Sequence, residues 1–249
     1  MKFPLVGIKK KNDDSKHLLI LISIFIAKTP RRNLLFQKRI VELPFRSPLN
    51  LNKQQLIDAD MEIIVEQALI DKQCIWLRLE ENKITPDGIS ILVTAFQKKN
   101  ALEGLSLFGN RLSDLGVQIL TLAISFSKNK IRSLGLGNNG ITDTSIEYIA
   151  NMLKVNRTIT QLCLQKNQIT DRGVQLLLDA MEIYSAHIQE LDLSGNTFVT
   201  DSSVNAFCNF IQHNEALEQL WVYGCNLTPK GREQLVKTTK SRKQFDLRV

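Results

Sequence analysis

Ile159 to Met181 reads ITQLCLQKNQITDRGVQLLLDAM, and this stretch decides the fold because its pattern recurs on both sides of it. Ile159, Leu162 and Leu164 set an alternation of period two from Leu162 onward, as in a short strand with one buried face. Asn167 and Ile169 follow, and from Val174 the apolar positions fall at Leu177, Ala180 and Met181, a helical spacing. The unit is strand, turn, helix. Taken alone, Cys163, Asn167 and Asp171 lie close enough in sequence to suggest a chemical site; the period gives them other roles.

The clearest periodic marker is the Asn after the strand, at Asn82, Asn110, Asn139, Asn167 and Asn196, with Cys225 in the sixth place and Gln54 one period upstream; every step is 28 or 29 residues. Self-similarity at that spacing must be settled before any local reading. The strand leucines repeat in register as Leu49/Leu51, Leu77/Leu79, Leu105/Leu107, Leu134/Leu136, Leu162/Leu164, Leu191/Leu193 and Leu220/Val222. Two residues past the marker stands an apolar plug: Leu56, Ile84, Leu112, Ile141, Ile169, Phe198 and Leu227. Thr85, Ser113, Thr142, Thr170, Thr200 and Thr228 stand where a hydroxyl caps a helix, and Pro86 and Pro229 follow at the first helical position. Three residues after each cap a small residue, Gly88, Gly116, Ser145, Gly173, Ser203 or Gly231, suits a close helix–strand approach. Asn100, Asn129, Asn156 and Asn214, near the helix ends, suit left-handed turns back to the strand. Phe245, Asp246 and Leu247 read as one closing strand. Asp171 falls in a helix first turn, where its charge favours the dipole.

Charge divides the chain differently. Residues 1–45 hold 10 Lys/Arg and 3 Asp/Glu, residues 228–249 hold 7 and 2, and residues 46–227 hold 15 and 20. The ends are basic and the periodic body is mildly acidic, which argues for solvated tails over a nucleic-acid or membrane surface. Residues 1–45 form a basic, poorly defined segment in which 34–45 reads as a lead-in with little structure. Its apolar run, Leu18 to Ala27, is too short to span a bilayer. It suits either an export signal or an element covering the apolar end of the array. Cys74, Cys163, Cys208 and Cys225 show no CxxC or Cys/His cluster and read as free thiols in a reducing, cytoplasmic setting.

The pattern LxxLxLxxNx[IL], followed by S/T-[DP]-x-[GS]-[VI] over residues 46–249, resembles the ribonuclease-inhibitor type of leucine-rich repeat, seen also in NOD-like receptors and Ran GTPase-activating proteins. The resemblance implies an α/β solenoid, a horseshoe of about seven repeats with a concave parallel sheet, convex helices and an Asn ladder that satisfies buried turn backbone. Gln54 and Cys225 in the ladder, and Asp60 in the small-residue slot, depart from it and make the end units atypical.

No catalytic constellation emerges. His17, His187 and His213 share no strand end with a nucleophile, and neither GxxxxGK[ST] nor GxGxxG occurs. The expectation is therefore a non-enzymatic module with no cofactor, metal or small-molecule substrate, binding a protein through the concave face. Alternation places residues flanking the core leucines on that face. Its middle is small and polar, while Trp221, Tyr223, Glu190 and Asp192 at one end, and Trp76, Arg78 and Phe108 at the other, form the candidate footprint, since Trp, Tyr and Arg carry much binding energy. The other reading of the aromatics is that end segments fold over them. Two functional alternatives stand beside the module: a GTPase activator for a Ran-like GTPase, and a secreted or membrane-tethered recognition domain.

Overall fold

Each unit contributes one three-residue strand, and eight strands pair in chain order into a single open parallel sheet: β1 Pro48–Asn50, β2 Trp76–Arg78, β3 Gly104–Ser106, β4 Ser133–Gly135, β5 Gln161–Cys163, β6 Glu190–Asp192, β7 Gln219–Trp221 and β8 Asp246–Arg248. The computed structural model describes residues 34–249 apart from 129, 185, 186, 241 and 243. The apolar run Leu18 to Ala27, with the export reading it carried, and Asn129 lie outside the described residues. Among the described residues, no helix is long and apolar enough to cross a membrane.

Register follows the period one unit per step, so that Leu49, Leu77, Leu105, Leu134, Leu162, Leu191, Leu220 and Leu247 form one row. Helix α1 (Leu34–Val41) precedes the sheet, and α2 (Pro86–Leu92), α3 (Ser113–Phe126), α4 (Asp143–Leu153), α5 (Asp171–Tyr184), α6 (Val204–His213) and α7 (Pro229–Thr239) follow successive strands. The first unit has a composite instead: a 3-10 turn Asp58–Asp60, an α turn Met61–Ile63 and a π-helix Ile64–Asp71. Neighbouring strands stand about 4.8 Å apart and packed helices about 8–10 Å. Stacking both in one array therefore curves it with the sheet inside. The core is the wedge between them, filled by strand leucines, turn plugs and helix stripes.

Residues 34–41, expected to carry little structure, form α1 because Phe36 and Ile40 lie one helical turn apart and both bury against the first unit. This apolar stripe covers the end of the stack.

Two side-chain networks tie unit to unit. In the first, the Asn167 amide donates to the Leu136 and Leu164 carbonyls at 3.2 and 2.9 Å, and its Oδ1 accepts from the Asn139 and Ile141 N–H groups at 2.9 and 3.2 Å. Asn82, Asn110, Asn139 and Asn196 likewise donate across two units. Cys225 places a thiol in the ladder, bonded to the Leu193 carbonyl at 3.4 Å. The residue before each ladder position is left-handed in all seven units: Lys53, Glu81, Gly109, Asn138, Lys166, Gly195 and Gly224. Glycine or asparagine at four of these seven places was the available signal.

The second network was not foreseen. Thr142 donates its N–H and Oγ to the two oxygens of Asp114 at 2.9 and 2.7 Å. Thr85 with Asp58, Thr170 with Asp143, Thr200 with Asp171 and Thr228 with Asp201 repeat the arrangement. Each Asp directly follows its own unit's cap position, so its main role is to hold the next unit's cap rather than its own helix dipole. Where serine fills the small slot, Ser145 and Ser203 donate to the same carboxylates, of Asp114 and Asp171. Where glycine fills it, as at Gly173, a side chain would collide with the Asp143 carboxylate. The slot is thus small to admit a neighbour's carboxylate as much as for helix–strand contact.

The network breaks once. Pro86 takes the place after the cap, Asp87 falls one residue late, and Ser113 does not cap: α3 begins at Ser113 itself, which adopts φ 52° with its N–H on the Asn139 carbonyl at 3.0 Å. A second correction concerns Phe198, which is 57% exposed while Val199 is fully buried in the plug position. One extra residue between Asn196 and the plug moves the inward direction on by one. A third concerns the helix-end asparagines. Asn100, Asn156 and Asn214 are not left-handed; their side-chain oxygens accept the N–H groups of Leu102, Thr158 and Leu217 and brace the return to the strand.

Candidate functional site

Parallel hydrogen bonding continues beyond the short strands, as from Lys166 N–H to the Ser194 carbonyl and from Gly195 N–H to that of Tyr223. This holds three columns of side chains on the concave face. The sequence-derived candidates all lie there and form two groups. Trp76 and Trp221 stand five strand spacings apart, about 24 Å.

In the first group the half-buried Trp76 ring lies over the next unit: a Cβ at Gly104 would fall 2.6 Å from its Cε2. The Arg78 guanidinium stands 5.9 Å from the Trp76 ring centre. Phe108, four residues along from Gly104 in chain, covers Gly137, where a Cβ would sit 2.7 Å from its Cδ2, and Lys166 Nζ lies 5.9 Å from its ring centre. Thus Gly104 and Gly137, part of the small middle, are small because neighbouring rings lie over them. Trp76 and Phe108 sit at opposite rims of the sheet rather than in one contact.

The second group is tighter. Trp221 is half-buried by β8: its Nε1 donates to Asp246 Oδ2 at 3.2 Å, and the Arg248 guanidinium stacks 4.3 Å from the ring centre. The closing strand therefore does fold over Trp221. Tyr223 stays 49% exposed. Asp192 is only 3% exposed, and its Oδ1 accepts the Ser194 N–H and Oγ at 2.9 and 2.6 Å. Glu190 is half-buried and keeps access to solvent, whereas Asp192 contributes from behind through its field. Asp246 adds a third acid and Arg248 the nearby cation. Sequence reasoning missed both, because β8 carries only a short piece of the repeat.

Burial raises the Asp192 carboxyl above its ordinary range, opposed by the Ser194 hydrogen bonds and Arg248. Burial, then the Asp192 charge, raises Glu190, with Arg248 opposing. Burial and these same two charges push the Cys163 thiol up to about 12, so it stays protonated and unreactive at neutral pH.

Raised carboxyl values mean that the folded chain holds more protons than the unfolded one just above the ordinary carboxylate range, so this contribution to stability falls as pH rises through that window. Asp192→Asn, which keeps an oxygen for Ser194, is expected to raise the urea midpoint at pH 7 and to leave it little changed at pH 4. An equal or lower midpoint at pH 7 would contradict the assignment.

A family model described as a leucine-rich repeat matches residues 127–150, 155–178 and 184–208. Human NACHT, LRR and PYD domains-containing protein 14 is 31% identical over 174 residues, 69% of this chain and 16% of that protein. Human NACHT, LRR and PYD domains-containing protein 5 is 28% identical over 232 residues, 80% of this chain and 19% of that protein. Mouse ribonuclease inhibitor is 27% identical over 195 residues, 77% of this chain and 42% of that protein. The chain thus spans under a fifth of the first two and under half of the third. Taken with the 28- and 29-residue period, the parallel sheet and the asparagine ladder, these matches identify the chain as a leucine-rich-repeat protein of the ribonuclease-inhibitor type.

Proposed function

We infer that the chain is a non-enzymatic protein-interaction module that holds a protein partner on the concave face of its solenoid. The observation that carries this is the net-negative cluster of Glu190, Asp192 and Asp246 around half-buried Trp221, with the exposed Tyr223 two residues farther along the chain on the same face. Such a surface suits a basic or mixed-charge partner, with Glu190 meeting its cations and Tyr223 giving rigid contact area. Trp76 with Arg78, about 24 Å from Trp221, and Phe108 at the opposite rim offer two further contact points, within reach of an extended or broad partner surface. A relative named ribonuclease inhibitor supports a protein as the class of target. The cytoplasmic placement belongs to the same reading and rests on four cysteines that are free thiols.

Tyr223 is the residue to test, since Trp221 also anchors the closing strand. Tyr223→Ala with Glu190→Gln is expected to weaken capture of a purified partner by about tenfold or more while leaving the urea midpoint nearly unchanged. The reading fails if these changes leave affinity intact while charge reversal on the convex helix α7 abolishes it.

A further inference from the structure

At the rim where helices return to strands, opposite the amide ladder, a cleft of about 590 Å³ crosses the first four units. Arg46, Lys98, Lys99, Lys128 and Lys130 line it, against the acid Glu103. Residues 46–227 hold 15 cations and 20 acids, so a third of the cations of a net-acidic body meet at one place. Lys98 is tied to Glu66 at 2.5 Å. Lys99, Lys128 and Lys130 are exposed. The inner wall is apolar, with buried Phe96 and Ala101 beside half-buried Ile75. Phe126, the last residue of α3, is 86% exposed on the lining.

We propose that this cleft binds an acidic peptide segment carrying an apolar anchor, at a site separate from the concave face. Gathered like charges repel one another, and an anionic ligand relieves that repulsion. An apolar side chain would meet Phe126, Ile75 and Phe96 and take that surface out of water. The choice of peptide over nucleic acid rests on the ends of two helices. The 3-10 segment Val93–Gln97 and α3 both end at the cleft, and helix C-termini leave acceptor carbonyls without intrahelical partners. A peptide's N–H groups can bond to such carbonyls; a phosphate backbone has no donor to offer them.

The test is fluorescence anisotropy of the full chain with a fluorescein-labelled peptide EDELFDEE. Lys99→Glu with Lys128→Glu should weaken binding by about tenfold or more, as loss of two complementary charges and gain of two repulsive ones requires. Phe126→Ser should weaken it several-fold, whereas Lys230→Glu with Arg232→Glu on α7, and Tyr223→Ala on the concave face, should leave it unchanged. The proposal is overturned if the wild-type chain does not bind, or if the Lys99/Lys128 reversal has no effect. It is equally overturned if Tyr223→Ala abolishes binding, which would put the peptide on the concave face, or if oligodeoxythymidine of equal charge competes at lower concentration than unlabelled peptide.

Discussion

Asn167→Ala is expected to destabilise the chain by about 3–4 kcal/mol, read as the loss of unfolding free energy in urea. The side chain serves four backbone groups in the middle of the array: the N–H groups of Asn139 and Ile141 and the carbonyls of Leu136 and Leu164. Asn167 itself is buried, so alanine leaves the two N–H groups unpaired in apolar surroundings with poor access to water, while the Leu136 and Leu164 carbonyls keep the Asn139 and Asn196 amides at 3.2 and 3.1 Å. Each unmet buried group costs about 1–3 kcal/mol, and local relaxation recovers part of that sum. Because each repeat leans mainly on its neighbours, the loss should appear as earlier opening of the central units. A loss below about 1 kcal/mol would show that water reaches the turn and that the amide is not the main link between units.

Asp114→Ala is expected to cost about 2–3 kcal/mol by the same measurement, since it strips partners from the Thr142 N–H and from the Thr142 and Ser145 hydroxyls. Its position makes the site telling. The equivalent bond one unit earlier is absent because Pro86 displaces the acid, so Asp114 holds the first acid–cap link after that break. Burial pushes the Asp114 carboxyl up, but the hydrogen bonds from Ser145 and Thr142 together outweigh it and hold the value below the ordinary 3.8. A depressed value means that the contribution is present above the unfolded-state value and is lost as pH falls through the folded one. The stability gap between wild type and Asp114→Asn should therefore be widest near neutrality and narrow below about pH 4. A gap that stays constant from pH 7 to pH 3 would assign the effect to shape rather than to the carboxylate.

The two networks differ in how plainly the sequence announced them. The asparagines declared themselves because their position never varies relative to the strand leucines. The threonines were read as caps for their own helices, and five of them do occupy that place, yet the acids that bind them come from the preceding unit. Nothing in a local pattern separates an acid that serves its own helix from one that serves the next helix along. Ser113 shows the consequence: it fits the cap pattern in sequence, but the acid that would hold it has been moved one residue by Pro86. On the concave face the columns were legible and their accessibility was not. Trp221 and Asp192 look as available in sequence as Tyr223 and Glu190, and β8 together with Ser194 makes the difference.

The sequence alone determined the period, the strand register and the identity of the buried leucines, and its resemblance to a known repeat implied the parallel sheet and the asparagine ladder. Alternation and helical spacing are imposed by backbone geometry within a few residues, and seven copies repeat the message. The tertiary structure decided what depends on lateral neighbours, which lie 28 or 29 residues away in chain. It exchanged Phe198 for Val199 at the core, paired each acid with the following cap and sealed Asp192. It also gathered five cations from residues 46 to 130 into one cleft. Side-chain contact falls off over a few ångströms, so these outcomes follow from how loop lengths bring adjacent units together, a distance that the period itself does not encode.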